Sequence, residues 1–301
     1  MTICIAALAT WEGAVAVVGA SDRMLSNRIM GSEPAISKVI PFTTHIVALY
    51  AGNPRFHASV AALVQAGLVG QANITTKYVA DLYAFHYANE RRARAEREHL
   101  TPLQLNAYSF MNQAQGIPAA VLADLVTQMQ DHDMRSDAIV AGVDGTGAHI
   151  YGIENPGIVD CYDFEAYHSI GIGYLHADSE YMSTDYARNW SFARALYLAY
   201  AAKRRAEASS EVGRFTDLFF IGNTGFRFVD EQHLKQIKRI YDRAHTREES
   251  SRRKAWEKVE RYVAAIQKQA EEAQTWEGGG GTGATDEKEF PESPSESEPP
   301  N

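Results

Sequence analysis

The sequence predicts an α+β protein built from antiparallel strands, and two observations favour this class. Predicted strands arrive as hairpins, first within Met1–Gly19 and again between residues 137 and 154. Predicted helices follow one another in pairs, so the strand–helix–strand alternation typical of a parallel sheet is missing. Aromatic residues make up 10% of the 301 residues, which supplies ample material for a core.

The first 52 residues contain two predicted hairpins. Apolar residues alternate within Met1–Gly19 on both sides of the turn Trp11-Glu12-Gly13. Two apolar runs within Ile36–Gly52 are separated by the polar Thr43-Thr44-His45. The small residues Ala51–Pro54 end the last strand and open a helix, because proline is well tolerated in a first helical turn.

The middle of the chain contains two predicted helices and a further hairpin. Apolar side chains recur at helical spacing in Arg55–Leu68 and in Thr76–Glu98. Strands are then predicted at 137–143 and 149–154. They flank Asp144-Gly145-Thr146-Gly147, whose composition is typical of a tight hairpin turn.

The last third is predicted to be mainly helical. Ser169–Gly173 predicts a short strand that ends in a glycine turn, and Asp178–Ala208 predicts one long amphipathic helix. Leu218–Gly222 is an apolar run and predicts the last buried strand. Glu231–Trp276 is charged and predicted helical.

We therefore divide the chain into a folded domain (1–230), a charged helical extension (231–276) and a disordered acidic tail (277–301). The tail is rich in Gly, Pro, Ser and Glu and cannot bury a core. It carries a net charge of −6 out of −9 for the whole chain, which leaves −3 for residues 1–276. This balance argues against nucleic acid as a partner, since a basic surface is needed to displace counterions.

Cysteine content and hydropathy point to a cytoplasmic protein with no membrane partner. Cys4 and Cys161 are too few for a disulfide framework, and neither forms a Cys-x-x-Cys pair. No run approaches the ~18 apolar residues that a membrane helix needs. The N-terminus lacks the basic segment of a signal peptide.

The common motifs of cofactor and metal enzymes are absent, so we expect no cofactor and no metal. The chain has no phosphate-binding loop, no His-Glu-x-x-His and no Gly-x-Ser-x-Gly. Its ten histidines are scattered, and His132 and His149 are predicted to be surface or core residues. An enzyme with this sequence must use a nucleophile that none of these motifs reports.

Thr2 is the candidate nucleophile. A methionine that precedes a small residue is normally removed, which would leave Thr2 at the N-terminus. A terminal threonine has both a hydroxyl group and an α-amine with a pKa near ~8. That amine can accept the hydroxyl proton without any histidine. Many proteins begin with Met-Thr, so the rest of the pattern must support this interpretation.

Three more candidate site residues follow Thr2 along the chain. Asp22 comes after the second predicted strand, Lys38 sixteen residues later, and Gly52 fourteen residues after Lys38. With these residues the sequence resembles the β-type subunits of the 20S proteasome and the related bacterial heat-shock peptidase. In that family an N-terminal Thr, an Asp, a Lys and a Gly at corresponding places form the active site. Taken alone, Asp22 and Lys38 would fit a surface ion pair.

The resemblance covers roughly Thr2–Phe226 and implies the four-layer αββα sandwich of N-terminal nucleophile hydrolases. It implies that Lys38 lowers the pKa of the Thr2 hydroxyl, that Asp22 holds Lys38, and that the Gly52 N–H faces the oxyanion.

Two later segments extend the resemblance. Ser169–Ala177 looks like the glycine-rich turn before the family's third long helix. Glu207 and Ser210 match the Asp-x-x-Ser at the end of that helix, and the resemblance implies that they hold the Thr2 amine.

The function implied is a threonine peptidase that works inside a homo-oligomeric ring. Its substrate would be a peptide or an unfolded protein, and an ATP-dependent unfoldase is a candidate partner. Two alternatives stay open. The chain could be a catalytically inactive structural subunit of such a ring, or an amidohydrolase that acts on small amides with the same residues.

Overall fold

A computed structural model describes residues 2–23, 25–26, 31–32 and 37–277 of the chain. The first residue of the second predicted hairpin, Ile36, and nearly all of the predicted acidic tail lie outside the described residues. Within them the protein is mixed, with two antiparallel five-stranded sheets and seven α-helices.

The strands are β1 (Cys4–Trp11), β2 (Ala14–Asp22), β3 (Leu25–Ser26), β4 (Gly31–Ser32), β5 (Val39–Pro41), β6 (Ile46–Ala51), β7 (Asp137–Asp144), β8 (Gly147–Glu154), β9 (Ile158–Cys161), β10 (Tyr167–Ile170), β11 (Thr216–Gly222) and β12 (Gly225–Phe228). The helices are α1 (Pro54–Leu68), α2 (Thr76–Ala95), α3 (Ala107–Gln113), α4 (Ala119–Gln130), α5 (Tyr174–Met182), α6 (Phe192–Ala206) and α7 (Glu231–Glu277).

Hairpins organise both large sheets, as the sequence predicts. The first sheet has the strand order β10-β1-β2-β11-β12, and the second has the order β5-β6-β7-β8-β9. Every pairing within them is antiparallel. The predicted α+β class with antiparallel strands is therefore confirmed at this level.

Strand β1 is buried on both faces, which explains its almost continuous apolar sequence. Side chains of a strand alternate between its two faces. Ile3, Ile5 and Ala7 belong to a cluster with residues of α5 and α6, whereas Cys4 and Ala6 belong to a cluster with residues of the second sheet. A third cluster joins the second sheet to α1 and α2.

The predicted single helix over Asp178–Ala208 is wrong, because α5 ends at Met182 and α6 begins at Phe192. Asp185 lies between them with a φ of 48°, which a helix does not allow. The Tyr186 hydroxyl donates a hydrogen bond to the Leu8 carbonyl, so the intervening segment is bound to β1. Periodicity alone does not reveal this break.

Several short elements were not predicted. The segment between α2 and β7 contains α3, α4 and a π-helical turn, Glu96–Leu100. Edge strands β9 and β12 are only four residues long, so they carry little periodic signal.

The chain divides into two compact units, Met1–Tyr241 and Asp242–Asn301. Helix α7 starts where the sequence placed the helical extension, and its residues Leu234, Ile237 and Tyr241 pack against the core of the first unit. The described part of the second unit is the remainder of α7. No helix in the described ranges has both the length and the apolar character needed to cross a membrane.

Candidate active site

Thr2, Asp22 and Lys38 lie in direct contact. The Thr2 hydroxyl donates a hydrogen bond to Asp22 Oδ1, and Lys38 Nζ donates one to Thr2 Oγ1. Lys38 Nζ also lies 2.8 Å from Asp22 Oδ1. All three residues are almost fully buried, with 2%, 0% and 2% of their surfaces exposed. They therefore do not form a surface ion pair.

The strand pairing explains why Asp22 reaches Thr2. Cys4 of β1 pairs with Ser21 of β2, and the Asp22 N–H donates to the Ile3 carbonyl at 3.2 Å. The end of β2 is thus held against the first residues of the chain. Asp22 Oδ1 accepts a further hydrogen bond from the Ile3 N–H at 3.1 Å.

The second carboxylate oxygen of Asp22 is held by the turn after α6. The Gly213 N–H donates to Asp22 Oδ2 at 2.9 Å. A buried charge is costly unless it is paired and hydrogen-bonded. Asp22 meets both conditions, since one oxygen contacts Lys38 and the other accepts from the backbone.

Gly52 follows β6 in a conformation that suits glycine. Its φ is +99°, and a Cβ atom there would lie 2.2 Å from the Arg135 carbonyl oxygen. The next residue, Asn53, caps helix α1, because its side chain accepts from the N–H groups of Arg55 and Phe56. The sequence therefore turns from strand to helix at Gly52.

Gly52 and Thr2 line the same cleft, which has a volume of about 850 Å³. The lining also includes Gly171, the glycine of the predicted turn after β10. Gly171 has a φ of +95°, and a Cβ atom there would lie 2.3 Å from the Thr2 carbonyl oxygen. Both conformation and space therefore require glycine beside Thr2.

One end of the cleft carries several acidic groups, among them Asp133, Asp137 and Glu154. Burial, together with the nearby Glu154 and Asp133, raises the pKa of Asp137 to about 6. His168 also lines the cleft, and burial lowers its pKa to about 4, so this imidazole is neutral at pH 7.

Glu207 and Ser210 lie in the turn after α6, the same turn whose Gly213 N–H holds Asp22. Glu207 forms ion pairs with Lys203 at 2.5 Å and Arg204 at 2.8 Å. No hydrogen bond joins Glu207 or Ser210 to Thr2 among the described residues. Their role toward the Thr2 amine stays a prediction, because that amine exists only after Met1 is removed.

Lys203 is a buried cation that sequence analysis did not identify. It is fully buried, and its Nζ donates to the Gly213 carbonyl at 2.8 Å as well as to Glu207. Burial lowers the pKa of Lys203, while the Glu207 and Asp22 carboxylates act in the opposite direction. Lys203 thus fixes the turn whose Gly213 N–H holds Asp22.

Buried residues around Gly52 were also missed. Cys4 Sγ donates to the Tyr50 carbonyl at 3.2 Å, and burial raises the pKa of this thiol to about 12. His57 and Ser136 contact the next two peptide groups. A single histidine or serine does not form a recognisable sequence motif, so these contacts can be identified only in the folded structure.

One group of side chains in the described ranges has the composition of a metal site. Glu98, His99 and His132 each place a ligand atom within 4.8 Å of the others. His99 Nε2 lies 3.2 Å from His132 Nδ1. That distance also suits a hydrogen bond between two neutral imidazoles, so this geometry requires no ion.

No family model matches this chain, and no curated protein matches it either. The functional assignment therefore depends on the geometry of the site.

Proposed function

We propose that this protein is an N-terminal threonine hydrolase that cleaves amide bonds of peptides or unfolded proteins. The observation that carries the proposal is the contact of the Thr2 hydroxyl with both Lys38 and Asp22 in a buried site. Burying an ion pair around one hydroxyl is costly and adds little to stability, which favours a catalytic role.

The reaction begins when Thr2 Oγ1 attacks the carbonyl carbon of the scissile amide. The hydroxyl proton passes to the α-amine of Thr2, which is exposed once Met1 has been removed. The Lys38 ammonium stabilises the developing negative charge on Oγ1 by proximity. Asp22 keeps Lys38 charged and oriented.

The tetrahedral intermediate then collapses to an ester. Its oxyanion accepts a hydrogen bond from the Gly52 N–H, which lines the cleft beside Thr2. The α-ammonium of Thr2 returns its proton to the leaving amine as the C–N bond breaks. Water, deprotonated by the same amine, attacks the ester and releases the acid and the free Thr2 hydroxyl.

The same proposal includes the four-layer αββα fold of N-terminal nucleophile hydrolases. The three apolar clusters support it, since they join α5 and α6 to the first sheet, the two sheets to each other, and α1 and α2 to the second sheet.

A homo-oligomeric ring in a cytoplasmic setting completes the proposal, with an ATP-dependent unfoldase as a candidate partner. Large apolar side chains such as Phe85, Tyr108, Met111 and Phe164 are 60–96% exposed, and subunit contacts typically cover such groups. Cys4 and Cys161 are both free thiols, as expected in a reducing compartment.

Intact mass spectrometry tests the proposal, before and after incubation with a threonine-directed peptide epoxyketone. We expect a mass without Met1 and one inhibitor adduct per chain. T2A should give no adduct, whereas T2S, which keeps a hydroxyl nucleophile, should still form one.

Retention of Met1 without any adduct would contradict the proposal and favour an inactive structural subunit. An adduct combined with turnover of small amides but no turnover of peptides would favour the amidohydrolase.

A further inference from the structure

We propose that His57 is a positioning residue that orients the Gly52 N–H toward the oxyanion by holding the Ala51 carbonyl. The inference rests on the proposed function, because the Gly52 N–H that His57 orients is the oxyanion donor of that reaction. It is carried by the contacts of this histidine, which is fully buried in the first turn of α1, five residues after the glycine.

The two ring nitrogens of His57 have definite roles. Nε2 lies 3.0 Å from the Ala51 carbonyl oxygen, and Nδ1 lies 2.7 Å from the Tyr83 hydroxyl. A carbonyl oxygen can only accept, so Nε2 must carry the proton. Nδ1 is then the acceptor, and Tyr83 donates to it.

The Ala51 carbonyl and the Gly52 N–H belong to one peptide group. A trans peptide group is planar, and its C=O and N–H point in opposite directions. A hydrogen bond that fixes the direction of the Ala51 carbonyl therefore fixes the direction of the Gly52 N–H. The same hydrogen bond polarises the amide and makes its N–H a stronger donor.

The turn needs such support because Gly52 has no side chain of its own to hold it. Glycine has the greatest backbone freedom of all residues, and Gly52 sits at a φ of +99° between a strand and a helix. The following peptide group is held independently, since the Asn53 N–H donates to Ser136 Oγ at 2.9 Å. His57 and Ser136 thus restrain the two peptide groups that flank Gly52.

The surroundings keep His57 in the required state. Burial lowers its pKa to about 4; the hydrogen bond to the Ala51 carbonyl opposes this shift and the Arg94 cation adds to it, so the ring is neutral at pH 7. Tyr50 stacks on the imidazole with ring centroids 5.0 Å apart, and Phe56 contacts it edge-on at 5.2 Å. The ring therefore cannot rotate away from Ala51 without disturbing the core.

A packing role alone would require only the shape of the ring, which phenylalanine provides. The informative variants are therefore H57F, which keeps an aromatic ring but donates no hydrogen bond, and H57Q, whose amide can donate to Ala51. Y83F leaves the imidazole in place and removes the donor that selects its tautomer. H149F is the matched control, because His149 is bound to Asp163 outside the cleft.

Selective labelling isolates the relevant peptide group by nuclear magnetic resonance. With carbonyl-13C alanine and 15N glycine, only Ala–Gly peptide bonds give a signal in a carbonyl–amide correlation spectrum. The chain contains three such bonds, at Ala51–Gly52, Ala66–Gly67 and Ala141–Gly142. Two of the three signals therefore act as internal controls for the fold.

We expect H57F to shift the Gly52 amide signal while the Gly67 and Gly142 signals stay in place. Turnover by H57F should fall about tenfold or more in kcat, with KM within about twofold, because the lost interaction is made mainly in the transition state. H57Q should recover part of the loss, Y83F should show a smaller loss, and H149F should match wild type.

Failure of this inference is distinguishable from failure of the proposed function. An active wild-type enzyme whose Gly52 signal and kcat are unchanged in H57F overturns the inference alone. A wild-type protein with no turnover and no adduct at Thr2 overturns both. If H57F does not fold, H57Q and Y83F provide the test. The inference is overturned if both variants have the kcat of wild type and an unshifted Gly52 signal.

Discussion

The protein contains two kinds of ion pair, and their contrast is informative. Around Thr2, the side chains of Lys38 and Asp22 are 3% and 0% exposed. Along helix α7, Arg252 and Glu248 form an (i, i+4) pair at 2.5 Å, but their side chains are 55% and 61% exposed. The two pairs have similar distances and very different energetics.

Solvent explains the difference. An exposed pair gains little, because water already solvates both charges and screens their attraction. A buried pair loses hydration on both partners, so replacing it with apolar groups is often neutral or stabilising. A chain that keeps such a pair against a hydroxyl group has a chemical use for it.

Breaking the buried pair should have the largest effect. K38M and D22N should each reduce turnover at least about a thousandfold, because each removes a charge from the Thr2 hydroxyl. Each should also lower the free energy of unfolding by about 3–5 kcal/mol, since the charge that remains in the core loses the other member of the pair. Steady-state kinetics and urea unfolding measure the two effects.

The double variant D22N/K38M separates catalysis from stability. It removes both charges, so we expect it to regain much of the stability lost in either single variant while staying inactive. A destabilisation of the double variant equal to the sum of the two single variants would show that the two charges do not interact, because an additive cycle has zero coupling energy. That result would break the contrast between the buried and the exposed pair.

Closing the space beside Thr2 should have the next largest effect. G171A places a methyl group 2.3 Å from the Thr2 carbonyl oxygen at a residue with positive φ. We expect loss of most adduct formation with the epoxyketone, together with a lower melting temperature. G145A is the matched control, because a Cβ atom at Gly145 meets nothing within 4 Å. Equal adduct yields for the two variants would contradict the placement of Gly171.

Lowering the pH should destabilise the fold through His57, a buried imidazole with no acidic partner in its described contacts. The pKa of His57 is about 4 in the folded protein and ordinarily 6.5, so the unfolded chain takes up this proton first as the pH falls. Stability conferred by the neutral ring is therefore lost between pH 6.5 and pH 4, by about 3 kcal/mol.

Urea unfolding at several pH values measures this loss. Wild type should lose stability more steeply than H57F between pH 6.5 and pH 4. His168, whose pKa is also about 4, contributes a similar slope to both proteins and cancels in the comparison. Parallel curves for the two proteins would contradict the neutral, buried state of His57.

The exposed pair on α7 should give the smallest effect. E248Q and R252Q should each change the free energy of unfolding by less than about 0.5 kcal/mol and leave turnover unchanged. Chemical denaturation and steady-state kinetics check both statements. A loss above about 2 kcal/mol would mean that these charges are not solvated as their exposure indicates.

The sequence predicts the fold best where a single signal decides the local structure. Hairpin turns such as Trp11-Glu12-Gly13 fix the pairing of β1 with β2, and that pairing brings Asp22 to the start of the chain. Pro54, which follows the cap Asn53, marks the start of α1. These signals depend only on neighbouring residues, so they can be interpreted without knowledge of the rest of the fold.

Features that depend on distant contacts could not be predicted. The break between α5 and α6 depends on Tyr186 reaching Leu8, which is 178 positions away. His57 looks like any histidine of an amphipathic helix until Ala51 and Tyr83 are placed beside it. In the sequence Lys203 belongs to a run of basic residues that is typical of an exposed helix end, although the structure buries it fully.

The position of the inhibitor adduct on the chain identifies the nucleophile. Peptide mass spectrometry of the epoxyketone-treated protein can assign the added mass within the tryptic peptide Thr2–Arg23. We predict that the peptide begins at Thr2, that the adduct is on Thr2 itself, and that K38M slows its formation at least about a thousandfold. An adduct on any other residue, or equal rates for wild type and K38M, would contradict the account.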